Sequence, residues 1–130
     1  PVLVTMRLED ERLNYLITPR IITKEEKVAL PKSYPGVRFI YTGMQTYEVT
    51  EIAEAFRENS NLYAETSFFK SPCTVFEDVL KAVPAEKILY GSGYPLNCLQ
   101  STWVALQKAY IPQEDKRKIL YSNIEALTSK

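Results

Sequence analysis

Lys87-Ile88-Leu89-Tyr90-Gly91-Ser92-Gly93-Tyr94-Pro95 decides how this chain is read. Lys87 to Tyr90 is a short apolar run of the kind that forms a buried strand, and it stops at a glycine. A loop of small residues follows, and Pro95 starts a new segment. In parallel α/β architectures the loop after a strand lies on the face where strand-end side chains meet substrate. Chemistry is expected here, yet the loop offers only Ser92, Tyr94 and backbone amides.

Upstream of it the same alternation repeats. A helix is predicted over about Cys73 to Val83, burying Val75, Phe76, Val79, Leu80 and Val83, with Pro84-Ala85-Glu86 as the turn into the strand. Leu62 to Thr66 reads as a strand with Tyr63 and Glu65 alternating against Leu62 and Ala64. Tyr47 to Glu58 is the clearest helix, because Val49, Ile52, Ala53 and Phe56 fall at i, i+3, i+4 and i+7. Val37 to Tyr41 is a strand ending at Thr42-Gly43-Met44. Thr23 and Glu26 have capping-box spacing, which predicts a short helix through Leu30 that Pro31 ends. Leu13 to Ile22, broken by Pro19, reads as a long loop or irregular helix. Pro1 to Met6 fits a buried parallel strand.

Downstream, Ser101 to Tyr110 is predicted as a helix with Trp103, Leu106 and Tyr110 on one side. Gln113 to Leu127 is a closing helix carrying Ile119, Leu120, Ile124 and Leu127. Strand and helix alternate four times, which implies parallel pairing with right-handed crossovers. Four such units are half of a (β/α)8, or TIM, barrel. The expected fold is therefore α/β, one domain over residues 1–130. The chain opens directly in a strand, which suggests a cut through a larger barrel.

Composition narrows the function. The 130 residues are 45% hydrophobic and 25% charged, so a real core can form. Net charge is zero, which argues against a nucleic-acid footprint. No apolar run approaches the ~20 residues needed to span a membrane. Cys73 and Cys98 lack metal-type spacing and read as reduced thiols of a cytoplasmic protein. Histidine is absent, which removes the commonest general base and metal ligand.

Three stretches carry a family likeness: Asn61-Leu62-Tyr63-Ala64-Glu65-Thr66-Ser67, Lys87 to Pro95, and Asp115 to Leu127. Together they resemble the second half of the amidohydrolase-2 family, metal-dependent hydrolases and decarboxylases with a (β/α)8 barrel. The family pattern is similar to N-x-Y-x-D-T-S, then R-I-L-F-G-S-D-Y-P, then K-I-L-x-x-N-A-x-x-L, and the likeness spans most of residues 37 to 130. It implies a divalent metal at the strand ends. It also implies that Gly93 stands where the family has its Asp metal ligand or base, and that Gly43 and Thr5 stand where histidines are expected. Glycine has no ligating side chain and threonine is a poor zinc ligand. The resemblance therefore implies a branch that gave up its metal, or an engineered loss, and no bound cofactor.

The remaining candidates each have two readings. Glu65 is a paired structural carboxylate, or an acid/base or substrate-binding group. Asp10 with Arg7 and Arg12 belongs to a solvated salt-bridged loop, or clamps a small anionic ligand. Ser92 with the Gly91 and Gly93 amides forms an ordinary turn, or an anion-binding nest. Ser67 and Tyr94 complete the substrate-binding set, with Phe68 and Phe69 covering the barrel mouth. Two functional classes follow. In the first the chain is a non-catalytic half-barrel, structural or ligand-binding. In the second it is part of an active hydrolase or lyase on a small carboxylate-bearing substrate, using residues outside this chain or metal-free chemistry by Glu65. The first and fourth strands are expected to leave open edges. The expected partner is then a missing N-terminal half-barrel or a second copy, unless Leu13 to Leu30 shield the sheet.

Overall fold

Four strands lie side by side in chain order, all parallel: β1 (Val2–Thr5), β2 (Phe39–Thr42), β3 (Leu62–Glu65) and β4 (Ile88–Leu89). The computed structural model describes residues 1–7, 20, 22–69 and 74–129. Thr5 pairs with Thr42, Tyr41 with Ala64, and Glu65 with Leu89, so the four C-terminal strand ends point the same way. A parallel sheet whose order follows the sequence is singly wound, with every crossover helix on one face. That is half of a (β/α)8 barrel.

The crossovers are α1 (Lys24–Ser33), α2 (Thr46–Glu51), α3 (Ala53–Glu58) and α4 (Val75–Ala82); α5 (Leu99–Lys108), α6 (Gln113–Arg117) and α7 (Asn123–Thr128) follow β4. The capping box predicted at Thr23 and Glu26 starts α1. Pro31 does not end that helix, which continues to Ser33. Proline has no N–H, so the Lys27 carbonyl one turn back lacks its helical donor. The Tyr41 hydroxyl supplies one at 2.7 Å, and Asn61 Nδ2 donates to the Pro31 carbonyl at 3.1 Å. Local sequence read Pro31 as a stop because the two groups that accommodate it lie on β2 and at the start of β3.

Other boundaries move for similar reasons. The predicted helix Tyr47–Glu58 is two helices, with Ile52 between them at φ −109° and ψ 25°. The helix before β4 is described from Val75, since 70–73, and with them Cys73, lie outside the described residues. Lys87 belongs to a 3-10 turn rather than to β4, and its ammonium donates to the Asn59 and Ser60 carbonyls. The helix expected at Ser101 begins at Leu99. Of its predicted apolar face only Leu106 is buried; Trp103 is half-exposed and Tyr110 projects into solvent. The predicted closing helix changes to a π-helical turn at Lys118–Ser122. Ile119 and Leu127 are buried, whereas Ile124 is exposed.

Side chains on the outer face of the sheet and the inner faces of the helices form the core. Phe39, Tyr41, Leu62, Ala64 and Ile88 meet Val49, Phe56, Phe76, Val79, Leu106 and Ile119. The alternate residues face the barrel interior, where Ile40, Leu89 and Tyr63 cluster with Leu127 of α7. The first strand is not buried as predicted: Leu3 is 66% exposed and Val2 47%. Among the described strands it lies at one end of the sheet, beside β2.

The two edges are not alike. Parallel strands point successive backbone groups alternately to their two neighbours. Leu89 faces β3, accepting from Thr66 N, so Ile88 and Tyr90 face the outer edge. Asn123 Nδ2 donates to the Ile88 carbonyl at 2.8 Å, and Tyr90 N donates to the Ile119 carbonyl at 2.8 Å. The fourth strand's edge, expected to be open, is capped by the C-terminal segment.

Candidate functional site

The C-terminal ends of the strands bring Thr5, Thr42, Gly43, Glu65, Thr66, Ser67 and the Gly91–Asn97 loop together. Glu65 is the centre. Its alternation with the core-facing Ala64 turns it to the barrel interior, where one oxygen accepts from Ser67 N at 2.8 Å and the other from Ser67 Oγ at 2.6 Å. The carboxylate fills the place a side chain at Gly91 would take, so only glycine lets the β4 backbone approach this closely. Burial pushes the Glu65 carboxyl above its usual range, against the lowering effect of Ser67 and of the Gly43 amide. Burial also raises the Tyr90 hydroxyl, and the negative charge of Glu65 adds to it.

Neighbouring polar groups stitch the loops to this centre. Thr66 Oγ1 donates to the Gly91 carbonyl and accepts from Gly91 N, both at 3.0 Å. Asn97 Nδ2 reaches the Ser67 carbonyl at 3.4 Å. Thr42 Oγ1 meets Thr5 Oγ1 at 3.2 Å, so the Thr5 position carries a hydroxyl pair. Ser92 Oγ accepts from Tyr94 N at 3.2 Å, closing a tight turn before a cis Tyr94–Pro95 bond. Tyr94 itself is exposed.

Arg7 lies beside this cluster, with its guanidinium directed into the protein. Its Nη1 donates to Glu48 Oε2 at 2.8 Å and to the Gly43 carbonyl at 3.3 Å. Lys27 Nζ donates to Glu48 Oε1 at 2.7 Å. All three side chains are less than a tenth exposed. Asp10 and Arg12 lie outside the described residues. Sequence reasoning placed Glu65, Ser67, Ser92 and Tyr94 in this neighbourhood. It missed Thr42, Thr66, Tyr90 and Asn97, which become visible only once three loops meet.

The donor chemistry decides what these residues hold. Glu65 is the only carboxylate at the strand ends among the described residues, and both its oxygens are engaged by Ser67. No group of three or more His, Cys, Asp or Glu side chains is close enough among them to hold a metal. Gly93 and Gly43 have left-handed φ values of 68° and 74°, a conformation most side chains avoid. The described residues at these strand ends do not by themselves fit a divalent-metal centre. They suit a buried carboxyl of raised proton affinity flanked by hydroxyls and amides.

Residues 22–127 match the family described as Amidohydrolase. No curated protein matches the sequence. Several solved structures are similar. The 2,6-dihydroxybenzoate decarboxylase from Rhizobium superimposes with a TM-score of 0.61 at 17% identity, over 78% of this chain and 38% of that one. The 5-carboxyvanillate decarboxylase from Sphingomonas paucimobilis gives 0.60 at 15%, over 75% and 35%. A dihydroxybenzoic acid decarboxylase from Polaromonas, with bound manganese and the inhibitor 2-nitroresorcinol, gives 0.62 at 19%, over 80% and 37%. The chain spans little more than a third of each of these proteins, and at such identities the likeness is one of fold.

Proposed function

The chain belongs to the amidohydrolase family, and on that footing we propose that it is a half-barrel without a metal centre of its own, serving as a ligand-binding or structural unit. One observation carries this reading. Among the described residues the strand-end carboxylate, Glu65, is turned onto Ser67, while left-handed glycine backbone stands at Gly93, where the resembled motif has its Asp. Thiol usage supports a cytoplasmic setting, since Cys98 is free and exposed. No described helix is long and apolar enough to cross a membrane. The test is native mass spectrometry of the 130-residue chain with excess Mn²⁺ or Zn²⁺. The expected result is no ion retained at one per chain. A stoichiometric ion that disappears in Glu65→Gln overturns the proposal.

The raised proton affinity of Glu65 favours a second reading. A carboxyl whose proton affinity is raised by burial is suited to general-acid work, and the similar structures named as decarboxylases act on hydroxylated aromatic acids. Under this reading Glu65 delivers its proton to the ring carbon as CO₂ leaves a small aromatic carboxylate, without a metal. Carbon dioxide release from dihydroxybenzoates by the metal-stripped chain, abolished in Glu65→Gln, would establish it over the first.

A further inference from the structure

With Glu65 read as the centre of a metal-free site, we propose that α7 is the floor of that site and that Leu127 is a positioning residue, sealing Glu65 from water at the N-terminal ends of the strands. The two ends of α7 are pinned below different strands. Asn123 Nδ2 donates to the Ala85 and Ile88 carbonyls, both at 2.8 Å, at the entrance to β4. Arg38, the residue before β2, donates through Nη1 to the Leu127 carbonyl at 2.8 Å. That bond sets a cation on the last turn of the helix, where the dipole favours it. From Asn123 to Leu127 the helix rises ~6 Å, and the Arg38 side chain covers the rest of the ~10 Å from β4 to β2. Thus α7 crosses the N-terminal end of the sheet beneath β3.

This crossing puts hydrocarbon under the carboxylate. Alternate residues of each strand face the barrel interior. Glu65 pairs with Leu89 across the ladder, and Tyr63, one layer nearer the N-terminal end of β3, pairs with Ile40. Leu127 packs into the cluster of Ile40, Leu89 and Tyr63 and is buried there. The layer that α7 completes therefore lies beside and below Glu65. The donors that reach Glu65 come from Ser67 and Gly43, at the level of the strand ends. Apolar packing on the opposite side strengthens the burial that raises its proton affinity. Among the described residues the titratable group that faces it is Tyr90 on β4. Arg7 stands on the far side of the Gly43 peptide and donates to its carbonyl.

Carbon-13 NMR titration of the glutamate carboxyls in metal-free buffer tests this, with Glu65→Gln assigning the signal. In the wild type the Glu65 midpoint should lie above 4.5. Leu127→Ser shortens the side chain but keeps the carbonyl that Arg38 holds and both Asn123 bonds, so α7 stays docked while water gains the floor. The midpoint should then fall towards 4.5, with an unchanged circular dichroism spectrum. Arg38→Ala releases the end of α7 without touching the apolar layer; it should act in the same direction and stands in if the serine variant does not fold. Ile124→Ser, at an exposed position of the same helix, should leave the midpoint where it is. A wild-type midpoint at or below 4.5 overturns the proposal. So does one that stays raised in Leu127→Ser, or in Arg38→Ala where that variant stands in, and so does an equal fall in Ile124→Ser. Retention of a metal ion in mass spectrometry would overturn the metal-free reading of the site and leave this comparison intact.

Discussion

Tyr41→Phe removes one buried hydroxyl, and the structure identifies the carbonyl that loses its donor. Pro31 cannot donate to the Lys27 carbonyl, so Tyr41 Oη is its partner at 2.7 Å. Tyr41 is fully buried, which leaves water no route to replace it. An unsatisfied buried carbonyl costs about 1–3 kcal/mol, a sizeable part of the ~5–15 kcal/mol expected for a small domain. Urea unfolding at pH 7 should show that loss. Pro31→Ala supplies the missing N–H, so in that background Tyr41→Phe should cost at least about 1 kcal/mol less. Alkaline titration gives an independent reading. Burial pushes the Tyr41 hydroxyl from 10.0 up to about 12. Between those values the unfolded chain releases this proton and the folded chain keeps it, so wild-type stability falls as pH rises, by about 1.4 kcal/mol per unit. Tyr41→Phe should lack that component. Equal costs in the proline and alanine backgrounds would refute the argument, because the hydroxyl would then not be compensating for Pro31.

Three further outcomes follow from the same geometry. Glu48→Gln leaves Lys27 and Arg7 buried without their carboxylate and should cost about 3–5 kcal/mol in urea unfolding at pH 7. Burial raises the Glu48 carboxyl, but the Lys27 and Gln45 hydrogen bonds and the nearby cations outweigh it and hold it below 4.5. Its contribution is complete above that pH and is lost on further acidification, a dependence the variant should not show. Glu65 behaves oppositely. Its raised carboxyl makes the folded chain the stronger proton binder, so on acidification the wild type should gain Tm relative to Glu65→Gln, a difference that is complete once the pH is below 4.5. Asn123→Ala orphans the Ala85 and Ile88 carbonyls and should cost about 2 kcal/mol in urea unfolding.

By itself the sequence determined the class and the order of units. Alternating apolar runs and amphipathic stripes depend on local periodicity, and β3 was legible for that reason, whereas whether Glu65 faced the barrel or the helices was not. So was the cap at Thr23, since both partners of a capping box lie within one turn. Only tertiary structure decided that Pro31 stays inside α1, because Tyr41 and Asn61 reach it from β2 and from the start of β3. It alone showed that Arg7 and Lys27 share Glu48, that Gly91 yields its space to the Glu65 carboxylate, and that the outer edge of β4 is capped by Asn123 and the Ile119 carbonyl. Each of these depends on groups 14 to 41 residues apart. Hydrogen bonds and burial at such separations leave no periodic trace in the chain, since proximity there is set by the packing of whole elements rather than by spacing along the backbone.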